Sequence, residues 1–109
     1  MSDPSLSWLR KIAIALARDD RLEEALSASE ITTLCQATGI AVPNTGTIIN
    51  HEQLTLFVGR LLGHLFRKTD SRHVDQFVVR RLSNQAKRQT SDQTFTQHFY
   101  RFEHQNVET

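Results

Sequence analysis

The chain has 109 residues, room for one domain with a single core, and its 39% hydrophobic and 23% charged content is ordinary for a globular protein. No apolar run approaches the roughly 18–20 residues that span a bilayer, and Lys11, Arg18, Asp19 and Asp20 interrupt the only stretch that could serve as a signal-peptide core, so a cytoplasmic protein is expected. The net charge of +1 hides an asymmetry: residues 1–50 carry four basic and six acidic side chains, residues 51–101 nine basic and four acidic, so a polyanion would find its footing on the second half.

Asp3-Pro4 opens a helix, because Asp accepts bonds from free N–H groups and the missing N–H of Pro is not needed in the first turn. Leu6, Leu9, Ile12, Ala13, Leu16 and Ala17 then recur at helical spacing, with Trp8 near the edge of the stripe, and predict a helix over about residues 4–18. The charged segment 19–26 either extends this helix or turns. Ser27 and Glu30 form a capping box that starts a second helix with Ile31, Leu34 and Cys35 inward, and Gly39 ends it in the left-handed conformation. Residues 40–43 read as extended, Asn44-Thr45-Gly46 as a turn, and a short strand could lie near 46–49.

Asn50 and Gln53 cap a third helix, predicted over 51–68. Its apolar stripe is Leu54, Phe57, Val58, Leu61, Leu62, Leu65 and Phe66; its opposite face carries Thr55, Arg60, His64 and Arg67. Gly59 and Gly63 cost about 1 kcal/mol each against alanine inside a helix, which either close packing against a neighbouring helix, the favoured reading, or the close approach of a phosphate backbone would offset. Residues 74–82 and 94–102 are rich in β-branched and aromatic residues and read as two strands of a hairpin whose apolar side includes Phe77, Val79, Phe95 and Phe99, with Tyr100 partly exposed. The connection 83–93 is polar and carries Lys87 and Arg88, and the residues after Glu103 read as a frayed tail.

The frame Leu34-Cys35, Gly39-Ile40, Val42-Pro43, residues 58–66 (VGRLLGHLF), residues 74–81 (VDQFVVRR) and residues 100–103 (YRFE) resembles the winged-helix module at the C-terminal end of phage- and plasmid-borne replicative ATPases, the primase–helicase-like proteins of mobile elements. The resemblance covers roughly residues 27–103. It implies a DNA-binding accessory domain of a replication or mobile-element enzyme. It carries over no ATPase site, because the chain has no Gly-x-x-x-x-Gly-Lys-Ser/Thr loop and no acidic cluster of primase type.

Catalytic chemistry finds no footing. His51, His64, His73, His98 and His104 include no pair at i, i+4 spacing, so no metal site is expected, and Cys35, the sole cysteine, excludes a disulfide within the chain or a cysteine-based zinc site and reads as core. No strand–nucleophile–helix elbow occurs. Nucleic-acid binding fits better. Arg60, His64 and Arg67 are side chains of the kind that contact bases and phosphates, while Arg80, Arg81, Lys87 and Arg88 place four cations within nine residues around the hairpin. The free N–H groups near Asn50–Gln53 would favour an adjacent phosphate.

The expectation is therefore an α+β winged helix, three helices plus a C-terminal two-stranded β-hairpin wing. Residues 1–26 would form a helix and connector packed on the domain, 27–103 the core and 104–109 a disordered tail. It would be a non-enzymatic duplex-DNA-binding domain without cofactors, with the third helix in the groove and the hairpin on the backbone. The contact residues expected are Thr55, Arg60, His64, Arg67, Lys68, Arg80, Arg81, Lys87 and Arg88. A replicative ATPase domain, in the same or another chain, is a candidate partner. The rival expectation is a protein-docking or dimerisation module, including a small phage-type regulator, in which Gly59 and Gly63 let two helices approach.

Overall fold

The computed structural model describes residues 3–47, 50–87 and 94–105, with side chains for all of these except 84–87 and 94–96. In chain order the elements are helix α1 (Pro4–Arg18), strand β1 (Ala25–Leu26), helices α2 (Ala28–Thr38) and α3 (His51–Leu65), and strands β2 (Ser71–Val74), β3 (Phe77–Lys87) and β4 (Thr94–His104). The strands form one antiparallel sheet in the order β1-β4-β3-β2. A mixed α+β domain with three helices is as expected; the sheet is not. It has four strands where a two-stranded hairpin was predicted, because β1 and β2 are short edge strands that add to the flanks of the hairpin.

Local chemistry sets the helix starts. Asp3 Oδ1 accepts the Ser5 N–H at 2.9 Å with Pro4 in the first turn, and α1 runs over the residues its periodicity predicts. At α2 both halves of the capping box form: the Glu30 N–H donates to Ser27 Oγ at 3.2 Å, and the Ser27 N–H donates to Glu30 Oε1 at 3.1 Å. Gly39 ends α2 at φ 75°, where its N–H and that of Ile40 both reach the Cys35 carbonyl. Asn50 Oδ1 takes the Gln53 N–H at 2.8 Å and opens α3. That helix stops at Leu65 instead of residue 68, since Phe66 leaves the helical conformation and turns its ring into the core beside Tyr100, 5.4 Å between centroids. No strand forms at 46 or 47; residues 48 and 49 lie outside the described residues.

The segment after α1 turns rather than continuing the helix. Asp20 and Glu23 take positive φ values of 55° and 75°, the Arg21 N–H reaches back to the Leu16 carbonyl at 2.8 Å, and the Glu23 N–H donates to the Phe102 carbonyl at 2.9 Å. The chain is thereby delivered beside β4 as β1, with Leu26 opposite Tyr100. Residues 3–26 are thus integral to the domain: Leu9, Ile12, Ala13 and Leu16 share one buried cluster with Leu26, Ile31, Val58, Leu62, Phe66, Phe77, Val79 and Phe102. Trp8 belongs to that cluster too, 2% exposed, instead of lying at an edge.

Register decides which hairpin residues face the helices. Phe77 pairs with His104, Val79 with Phe102 and Arg81 with Tyr100, so these share the inner face, while Val78, Arg80 and Leu82 pair with Glu103, Arg101 and Phe99 on the outer one. Tyr100 and Phe102 are therefore core and Phe99 is half-buried outside, the reverse of the expected assignment; a one-residue change of phase moves every side chain across the sheet. The Phe95 side chain lies outside the described residues. The hairpin's first strand begins at Phe77, not at residue 74, because Asp75 (φ 52°) and Gln76 turn the chain back from β2. The described fold continues through Gln105. His104 stacks on Phe77, and Gln105 donates from Nε2 to the Asp75 and Phe77 carbonyls at 2.7 and 3.0 Å. Residues 106–109 lie outside the described residues. No helix among those described is long and apolar enough to cross a membrane.

Candidate nucleic-acid interface

α3 is pinned to α2 by His51. The Thr33 hydroxyl donates its proton to the Ser29 carbonyl at 3.1 Å, so at the 3.0 Å contact with His51 Nε2 it can only accept. The network therefore places a proton on Nε2, and Nδ1 lies 3.4 Å from the Thr55 hydroxyl. Thr55 consequently faces α2 and is half-buried; it does not belong to the outward surface where the sequence placed it.

Val58, Leu62 and Leu65 bury the inner stripe of α3. Its other side is open. Gln53, Leu56, Phe57, Arg60, Gly63 and His64 are all exposed, Leu56 at 62% and Phe57 at 37%. Phe57 was expected inside, but it sits 100° from Val58 around the helix, beyond the width the core covers. The Arg60 guanidinium carbon lies 5.8 Å from the Phe57 ring centroid, a cation–π contact on the outward face. A Cβ built on Gly59 or Gly63 would meet nothing within 4 Å among the described residues, so packing among them does not require either glycine.

The helix N-terminus is less inviting to an anion than expected. Asn50 already occupies the Gln53 N–H, and Glu52 places a carboxylate in the first turn. At the other end, Arg67 and Lys68 are exposed but lie beyond the helix, in its connection to β2. Neither these two nor Arg60 makes an ion pair among the described residues.

The cations of the sheet are differently placed. Arg80 and Arg101 face each other across β3 and β4, and both contact Glu103 Oε2, at 3.4 and 2.7 Å, on the outer face. Arg81 points to the opposite face and is held by Asp70 at 2.8 Å. Arg80 and Arg81 thus do not form one patch with each other, and each is matched by a carboxylate distant in sequence. Lys87 ends β3 with its side chain outside the described residues, and Arg88 lies outside them altogether. What the fold brings together is narrower than the sequence indicated: Arg60 and His64 one turn apart on α3, with Arg67 and Lys68 following. Gln53, read from the sequence only as part of the cap, and Leu56 were not assigned to this face, although the 100° helical step alone puts both outward.

Two buried titratable groups carry no sign of function. Burial pushes the Cys35 thiol up, partly opposed by the neighbouring Trp8 indole, whose N–H still finds no acceptor at hydrogen-bonding geometry. Burial also pushes the Tyr100 phenol up, with the Arg81 charge pulling the other way. Such a thiol is a poor nucleophile. No family model, no curated protein and no solved structure matches this chain.

Proposed function

We propose that this chain is a winged-helix domain that binds duplex DNA without catalysis, α3 lying in the major groove and the β3–β4 ribbon reaching the flanking backbone. The element order α1-β1-α2-α3-β2-β3-β4, with β1 paired beside the last strand, supports the winged-helix reading, β2 being an extra edge strand. One observation carries the functional reading. The outward face of α3 is uncovered and bears Gln53, Arg60 and His64, with Arg67 and Lys68 at its end, while Arg80, Arg81 and Arg101 of the hairpin are already paired with carboxylates. The setting we assign, on the resemblance of residues 27–103 to modules of phage and plasmid replicative ATPases, is accessory to such an enzyme in the same or another chain. A gel-shift titration with a random-sequence duplex at low salt tests the reading, and retention of the duplex is expected.

A second reading has its own observation. Leu56 and Phe57 expose large apolar side chains on the same helix face, as a docking surface for a protein would. Under that reading the duplex is not retained, and the chain elutes with a second copy or a partner in a sizing run.

A further inference from the structure

Resting on the duplex-binding reading, we infer that Gln53 and Arg60 form a base-reading pair that takes an adenine and a guanine about two to three base pairs apart, with Phe57 as the positioning residue that sets Arg60. The two side chains are seven residues apart, which in an α-helix is a rise of about 10.5 Å and an offset of about 20°, so they project from nearly the same line of the exposed face. A helix lying along the major groove meets a new base pair every 3.4 Å or slightly more of its path, which converts that rise into two to three steps. Each residue type has a matching base edge. The arginine fork donates twice to guanine O6 and N7, and the glutamine amide donates to N7 and accepts from N6 of adenine.

The surroundings of Arg60 suit reading better than solvation. Its guanidinium lies over Phe57 at 5.8 Å and makes no ion pair among the described residues, so the fork is held without its donors being consumed. Leu56, next on this face between the two, presents an apolar group of the kind that packs on a thymine methyl. Glu52, the only acid of α3, sits about 80° around the helix from Arg60 and leaves this line free of negative charge.

Selection from a duplex library with a randomised centre, run on the full chain and on Gln53→Ala, Arg60→Lys and Phe57→Leu, tests this. The wild type is expected to enrich an adenine and a guanine at the stated spacing. Arg60→Lys keeps the charge but loses the fork, so the guanine preference falls about fivefold or more while the adenine preference stays. Gln53→Ala does the converse. Phe57→Leu relaxes the guanine position alone without lowering Tm, a result that a purely structural role for the ring would not give. Duplex retained without base preference, or substitutions that weaken all sequences equally, would overturn the inference and leave the binding reading standing. No duplex retained at all overturns both.

Discussion

Arg81 donates to Asp70 Oδ1 from both Nε and Nη2, at 3.1 and 2.8 Å, and its backbone N–H donates to the Asp70 carbonyl at 2.8 Å. Side chain and backbone together clasp the α3–β2 connection to β3. The Arg81 side chain is 20% exposed, and two of its donors are taken up by Asp70. Because Asp70 itself is largely solvated, Arg81→Gln is expected to lower stability by only about 1 kcal/mol, with duplex affinity unchanged. Chemical denaturation run beside a binding titration checks both halves.

Gly59 and Gly63 lie in the interior of α3 with open space where a Cβ would go. Alanine at either position is therefore expected to raise stability by about 1 kcal/mol, since it removes backbone freedom from the unfolded chain and meets no obstacle in the folded one. Thermal melts of the single variants test this. Gly63 is also exposed on the proposed groove-facing side, so Gly63→Ala is expected to weaken duplex binding while raising Tm.

The sheet phase predicts unequal costs for two neighbouring phenylalanines. Phe102 is fully buried against the helices, and Phe102→Ala is expected to cost about 3–5 kcal/mol. Phe99 sits opposite Leu82 on the outer face, and Phe99→Ala is expected to cost clearly less. Equal costs in urea denaturation would contradict the register.

Alkaline stability follows from the two raised groups. The native state holds the Cys35 and Tyr100 protons to higher pH than the unfolded chain does, so the unfolded state binds fewer protons once pH passes the ordinary values of 9.0 and 10.0. Stability contributed by these groups is fully present below those values and declines as pH rises through the native ones. Tyr100 is the only tyrosine, so its near-ultraviolet absorbance reports one group. Its native midpoint is expected above 10.0, and higher still in Arg81→Gln, which removes the opposing charge.

The residues that announce themselves locally were legible in the sequence. Asp3-Pro4, the Ser27–Glu30 box, Gly39 and Asn50 act within four residues of themselves, and the structure places helix ends at each. Features set by distant partners were not. Ala25–Leu26 is a strand only because β4 lies beside it, and Ser71–Val74 has too few apolar residues to be read as one. In β4 both phases contain aromatics, so Phe95 and Phe99 compete with Tyr100 and Phe102, and cross-strand pairing with β3 decides. The pairing of the hairpin arginines is hidden from the sequence for the same reason. Arg80 and Arg81 stand in a basic run, but their partners Glu103 and Asp70 lie 23 residues after the one and 11 before the other. The exposure of Arg60 and His64 was legible because a helix face is a local property.

The salt dependence of duplex affinity tests the central claim most directly. Anisotropy titrations of a labelled duplex over a range of salt would compare the wild type with Arg67→Ala/Lys68→Ala and with Arg80→Ala/Arg101→Ala. Log affinity is expected to fall linearly with log salt; the first pair flattens the slope by about two units, and the second pair, whose charges Glu103 engages, changes it far less. An undetectable affinity at low salt, or a slope that the α3-end pair leaves intact while the sheet pair reduces it, would contradict the account.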